Sequence, residues 1–119
     1  LKKKKPKSMR EDFCGTFELS RAWVRSGPEM EAVGVDLDLE PISYGLKGFK
    51  EMTVDQQRRL DILNKNVLDK KLPSADLVAA MNFSHYIFKD RKVMLEYFKN
   101  CYRGVNKGGL FILDCFGGS

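Results

Sequence analysis

Glu11-Asp12-Phe13-Cys14-Gly15-Thr16-Phe17-Glu18-Leu19-Ser20, then an amphipathic run, then Ala32-Val33-Gly34-Val35-Asp36-Leu37-Asp38, is the stretch that decides how this chain folds. It reads as strand, turn, helix and strand, with carboxylates at both ends. Twenty-five residues separate Glu11 from Asp36, and a right-handed crossover between parallel strands takes about 30 residues in all. Such a crossover sets the C-terminal ends of the two strands side by side. The turn after Glu11 and the Asp36 carboxylate then face one crevice, the place where open α/β sheets bind ligands. A carboxylate there can accept from two vicinal hydroxyls, which points to a ribose and hence to a nucleoside-containing ligand.

Outward from this unit the chain alternates strands with helices. The first strand covers about Ser8 to Phe13 and is unusually charged for a central position, with Met9 and Phe13 its clear core residues. A helix from about Phe17 to Arg25 buries Leu19, Ala22 and Trp23, and Ser26-Gly27-Pro28 stops it. Glu31–Asp36 is the second strand. Asp38 caps the next helix, whose buried side is Ile42, Leu46 and Phe49. Thr53 with Gln56 makes a capping box for a short helix, and a third strand follows near Leu60–Asn64. The loop Asn66-Val67-Leu68-Asp69 can reach back over the crevice. Asp76–Met81 is an apolar, central strand. Asp90 caps a helix with the stripe Val93, Met94, Tyr97, Phe98, Cys101 and Tyr102; Lys107-Gly108-Gly109 ends it, and Leu110–Cys115 is a fifth strand. The expected architecture is α/β: a Rossmann-like doubly wound parallel sheet, three-layer α-β-α, order 3-2-1-4-5.

Bulk properties narrow the class. At 119 residues, 43% hydrophobic and 31% charged, this is one ordinary globular domain. No apolar run has the roughly 20 residues of a membrane span, and no signal-peptide pattern opens the chain. Cys14, Cys101 and Cys115 show no CxxC spacing, so free thiols in a reducing, cytoplasmic setting are expected and neither a disulfide framework nor a zinc site is. Six cations lie within residues 1–10, which leaves 15 basic against 16 acidic residues elsewhere. Residues 1–7 therefore read as a solvated, disordered basic leader, with a nuclear-localisation patch or a nucleic-acid-steering arm as the sharper alternatives. That arm has no interleaved aromatics on which a single strand could stack. Residues 8–119 form the core. A start at Leu1 and an end on Gly-Gly-Ser directly after a strand suggest a fragment, its fifth strand an exposed apolar edge prone to self-association.

Two nucleoside ligands compete for the crevice. A dinucleotide needs several glycines so that pyrophosphate can approach bare backbone at a helix N-terminus. This turn supplies Gly15 alone, and Glu18 places negative charge in the first helical turn. S-adenosyl-L-methionine carries no phosphate, and its sulfonium tolerates carboxylates and aromatic faces.

On these residues the chain resembles the class I S-adenosylmethionine-dependent methyltransferases over nearly its whole length. The family's acid-x-Gly-x-Gly-x-Gly turn, laid on this chain, puts the acid on Glu11 and the three glycines on Phe13, Gly15 and Phe17, with Cys14 inside the turn and Asp12 as an alternative acid. Gly34-Val35-Asp36-Leu37-Asp38 resembles the ending of the family's second strand. The resemblance gives Asp36 the ribose hydroxyls and Leu37 the adenine, and Asn66 and Val67 stand where the third-strand loop meets the adenine. Asp76-Leu77-Val78 is similar to the fourth strand, and Asn82 and Phe83 then fall where methyl group and substrate meet. The family's sheet ends with an antiparallel pair beyond strand five, which this chain lacks. The implied activity is methyl transfer to an acceptor, a small molecule by expectation. The alternative is a degenerate nucleoside-binding module with Phe13 and Phe17 filling the methionine pocket. In-line displacement from a sulfonium can run on positioning alone. If a base is used, His85, the only histidine, is the candidate, and Asn82 can orient the acceptor. Arg10 reads as a surface cation, with a grip on the methionine carboxylate as the alternative. Nucleic acid enters only through the leader.

Overall fold

The computed structural model describes residues 5–81 and 91–113. Nine elements follow in order: β1 (Ser8–Asp12), α1 (Glu18–Arg25), β2 (Glu31–Val35), α2 (Leu39–Lys50), α3 (Val54–Arg58), β3 (Leu60–Leu63), β4 (Ala75–Ala80), α4 (Arg91–Gly104) and β5 (Val105–Leu113). The strands form one parallel sheet in the order β3-β2-β1-β4-β5, as the sequence predicts. The fold is a Rossmann-like three-layer sandwich.

Alternation along each strand sends successive side chains to opposite layers. On one face Met9, Ala32, Leu60 and Leu77 pack with Phe17 and Val24 from the α1 side and Ile42 of α2. On the other, Val35, Val78 and Ala80 pack with Tyr97 and Cys101 of α4. Asp38 caps α2 by accepting from the Glu40 N–H, and Thr53 and Gln56 make the reciprocal capping box of α3.

The first strand is more buried than its composition suggests. Arg10, Glu11 and Asp12 are 1%, 3% and 0% exposed. Arg10 is therefore no surface cation and reaches no ligand: its Nε and Nη2 donate to the two Asp12 carboxylate oxygens (2.9 and 3.1 Å) beneath α4. The Tyr97 hydroxyl donates to Asp12 Oδ2 at 2.8 Å, and Arg10 Nη1 to the Pro73 carbonyl at 3.3 Å. Mutual neutralisation is what lets these charges occupy a central strand.

One boundary moves. α4 ends at Gly104, where a Cβ would lie 2.5 Å from Arg10 Nη1. The Lys107-Gly108-Gly109 run lies inside β5 and does not end the helix. Pairing slips there between Ala75↔Val105 and Leu77↔Leu110, and Gly108 takes φ 83° in the irregularity. Three burial expectations are corrected as well. In α1 the buried residues are Ser20 and Val24, with Leu19 and Ala22 exposed and Trp23 half-buried, because Phe17 at the N-cap rotates the inward face. Leu46 is exposed, since close approach of α1 and α2 is made through Gly45. Tyr102 is 85% exposed, because Tyr97, Phe98 and Cys101 already fill the layer under α4.

Gly45 is where α2 meets the turn after β1. A Cβ there would stand 2.5 Å from the Thr16 carbonyl oxygen and 2.6 Å from the Phe17 ring. Gly45→Ala is expected to destabilise the fold by about 1–3 kcal/mol through overpacking, read as a lower midpoint in urea unfolding.

Candidate functional site

The site is built on the turn between β1 and α1. Phe13, Gly15 and Phe17 all carry positive φ (55°, 55° and 47°), although only one of them is glycine. Left-handed backbone costs a bulky residue of the order of 1–3 kcal/mol, and the two rings repay it by burial. Phe13 turns into the α4-side core, 5.4 Å from the Tyr97 ring. Phe17 is fully buried in the α1/α2 core, with the Arg21 guanidinium 5.6 Å from its ring centre. Neither ring lines the crevice.

What lines the crevice is a cleft of about 370 Å³ at the C-terminal ends of β1 and β4, walled by Glu11, Cys14, Thr16, Glu18, Leu19 and Met81. Of the two candidate motif acids, Glu11 faces this cleft and Asp12 is sealed under α4. Phe17 gives α1 no side-chain cap, and the Glu11 carboxylate takes over that work. Its Oε1 accepts from the Ser20 N–H (3.0 Å) and the Ser20 hydroxyl (2.6 Å). Thr16, Leu19, Ser20 and Met81 were not assigned to the site from sequence, and Glu18 was read there only as a charge opposing pyrophosphate. Ser20 alone left a signal, because a helix starting on Phe17 has orphan N–H groups that some buried acceptor must satisfy.

Asp36 closes the other side. Its Oδ2 accepts from the Gly15 N–H (2.9 Å) and its Oδ1 from the Asp38 N–H (3.0 Å), so one carboxylate joins the turn after β1 to the end of β2. A carboxylate has about four lone-pair sites, which leaves acceptor capacity for a ligand. Asn64 Nδ2 donates to the carbonyls of Asp36 and Leu37 (3.1 and 2.9 Å), fixing the following segment with Leu37 64% exposed. Glu11 and Cys14 thus line the cleft, Gly15 and the 3% exposed Asp36 are joined by their hydrogen bond at the adjoining strand ends, Leu37 is exposed beyond Asp36, and Phe13 is set apart. Val67 is buried in the α4-side core with its carbonyl accepting from Asn100, and Asn66 is exposed, its Oδ1 accepting from the Leu68 N–H. That loop is pinned to α4. Asn82, Phe83 and His85 lie outside the described residues.

Burial dominates the electrostatics. It raises the Glu11 carboxyl to about 7, with the Ser20 hydrogen bonds and Arg21 opposing. It also raises the Asp12 carboxyl against the pull of Arg10. Burial, Glu11 and Asp36 together hold the Cys14 thiol well above its usual range, which excludes a thiolate nucleophile at neutral pH. Between about pH 4.5 and 7 the unfolded chain has released the Glu11 proton and the folded chain has kept it. Stability from this group therefore falls as pH rises through that window, by about 1.4 kcal/mol per unit and ~3 kcal/mol in all. Glu11→Gln keeps an acceptor for Ser20 and is expected to remove that slope, measured by urea unfolding at pH 5 and pH 8.

Comparisons with known proteins agree with this geometry. A family model described as a methyltransferase domain matches residues 14–111. Among solved structures, the glycopeptide N-methyltransferase MtfA superposes with a TM-score of 0.75 at 15% identity, covering 92% of this chain and 46% of that one. An O-methyltransferase family protein from Burkholderia thailandensis gives 0.71 at 19% identity, covering 91% and 32%. The methyltransferase domain of bacterial CtHen1-CN gives 0.69 at 13% identity, covering 84% and 53%. At these identities the likeness is one of fold, and the chain spans about half the length of MtfA. No curated protein matches the chain in sequence.

Proposed function

Because the chain belongs to the methyltransferase-domain family, we propose that it is the core of an S-adenosyl-L-methionine-dependent methyltransferase whose cofactor lies over the C-terminal ends of β1 and β2. The observation that carries this reading is the turn itself. It keeps glycine-like backbone at residues 13, 15 and 17 and turns both phenylalanine rings into the two cores, so the cleft stays open. A degenerate module with those rings in the methionine pocket has no such support. The donor set fits the cofactor. Among the described residues Glu11 and Glu18 line the cleft and no cation does, which suits a sulfonium and an amino group and opposes a pyrophosphate. MtfA has been crystallised with S-adenosyl-L-methionine and with S-adenosyl-L-homocysteine.

In this reading Asp36 binds the ribose hydroxyls, Leu37 packs on the adenine, and the Gly15 backbone admits close approach beside Cys14. Glu11, neutral in the free chain below about pH 7, supplies negative charge toward the amino and sulfonium end once it gives up its proton. When bound, the cofactor supplies a methyl group activated by positive sulfur. The chain's own contribution is to hold that group in line with an acceptor and exclude water, which needs no dedicated base. Asn82, Phe83 and His85 follow β4 and are assigned to the acceptor side from sequence. A small-molecule acceptor is the reading carried over from the sequence; among proteins of this fold, MtfA is described as a glycopeptide N-methyltransferase. No helix among the described residues is long and apolar enough to cross a membrane, in keeping with a cytoplasmic assignment.

The test is calorimetric titration of S-adenosyl-L-methionine, S-adenosyl-L-homocysteine and NADH into the purified chain. Saturable binding of both sulfur nucleosides and none of NADH is the expected result. A folded sample that binds neither sulfur nucleoside overturns the assignment.

A further inference from the structure

The outer face of α4 is more one-sidedly charged than that of any other described helix, with Arg91, Lys92, Lys99 and Arg103 against the single acid Glu96. Lys92, Leu95, Glu96, Lys99 and Arg103 share one helical stripe at i, i+3, i+4 and i+7 spacing. With Lys70 from the β3–β4 connection they line an open groove of about 440 Å³. At 1.5 Å per residue the stripe from Lys92 to Arg103 is about 16 Å long. Tyr102 falls on the same stripe beside Lys99 and Arg103, and the core beneath has no use for its ring.

Two residues after α4, Asn106 Nδ2 donates to Asp76 Oδ1 at 2.9 Å, and Asp76 Oδ2 accepts from the N–H groups of Lys7 and Ser8 (3.0 and 3.3 Å). The backbone entering β1 therefore meets the sheet beside the C-terminal end of α4, with the Lys7 ammonium paired to Glu29 (3.3 Å).

We propose that this stripe is a binding surface for single-stranded nucleic acid, with the cations on phosphates and Tyr102 as a stacking platform. A basic groove with an exposed aromatic at its margin, Tyr102 following on the helix from Lys99, supplies both backbone tracking and base stacking. An acidic polypeptide would engage the same cations and leave the exposed ring without a partner. The stripe lies on the α4 layer, and the cleft with Glu11 is walled from the α1 layer, so the two sites are separate. Nucleic acid bound here anchors the protein without occupying the cleft.

The experiment is fluorescence anisotropy with a labelled oligouridylate of about 12 nucleotides, its DNA counterpart and labelled polyglutamate, titrated with the full chain. Four phosphate contacts give a slope of log K on log salt near −3, about 50-fold weaker binding from 50 to 200 mM salt. Lys99→Glu with Arg103→Glu is expected to weaken binding at least ~10-fold and to make the slope shallower by about 1.4. Tyr102→Ala is expected to weaken it about fivefold or more with the slope unchanged. A Lys99→Gln, Arg103→Gln pair, with thermal unfolding recorded for each variant, separates lost contacts from lost folding. Comparison of the two oligonucleotides reads any contribution of the 2′-hydroxyl, and binding of either satisfies the proposal. It is overturned if neither oligonucleotide binds, if these variants bind normally, if deleting residues 1–6 alone removes the salt slope, or if polyglutamate binds as well.

Discussion

Asp36→Ala is expected to weaken S-adenosyl-L-methionine binding at least about 100-fold, from the loss of two charge-assisted hydrogen bonds of roughly 1.5–3 kcal/mol each. The same carboxylate accepts from the Gly15 and Asp38 N–H groups, so the alanine variant also releases the turn that shapes the cleft. Asp36→Asn separates these effects. Its side-chain oxygen can still take the Gly15 N–H, while its amide nitrogen can accept neither from the Asp38 N–H nor from a second hydroxyl. Calorimetry should show the asparagine variant close to alanine in affinity, and urea unfolding should show it between alanine and wild type in stability. An asparagine variant that binds normally would remove Asp36 from the ribose and leave it a role in the turn alone.

Arg10→Met is expected to cost about 3–5 kcal/mol, because it strands a carboxylate that is wholly buried under α4. Against a typical domain stability of about 5–15 kcal/mol that is a large fraction. The deficit should shrink as pH falls toward 5, since Asp12 without its guanidinium can take up a proton and the unfolded chain does not. Adding Asp12→Asn removes the stranded charge and keeps an acceptor for the Tyr97 hydroxyl. The double variant should therefore be more stable than Arg10→Met alone at pH 8. Additive losses in a double-mutant cycle would show that Arg10 and Asp12 are not coupled.

Strand order, the crossover, the Asp38 N-cap and the Thr53–Gln56 capping box were legible in the sequence because each depends on local chemistry: apolar runs, an Asp or Thr before a helix, and a connection of fixed length. The place of Asp36 at the end of β2, against the turn after β1, was legible for the same reason. Arg10 was misread because hydropathy judges a residue alone, whereas its burial depends on Asp12 two positions on and on Tyr97 eighty-five positions beyond Asp12. Phe13 and Phe17 look like obstructions in a linear motif, and only backbone geometry reveals that their rings point away from the cleft. The Lys107-Gly108-Gly109 run carries a helix-stop signal, yet α4 ends earlier, at Gly104, and the run is taken into β5 by pairing with β4. Val67 sits in a loop with no periodicity, so nothing local announces that Asn100 pins its carbonyl.

The position of β1 has a consequence for how the chain is made. The first strand is the middle one, and its second neighbour, β4, pairs at Leu77–Ala79. At a synthesis rate of about 5–20 residues per second, roughly 3–14 seconds pass between the appearance of Arg10 and that of its β4 partner, Val78. Until then one edge of β1 is open, and its charged side chains have no lid. The alternating Arg-Glu-Asp of this strand keeps the nascent segment hydrated through that interval, where an all-apolar central strand would be a target for chaperones and for edge pairing between neighbouring chains. The ionic core thus serves the ribosome-bound protein as well as the finished one.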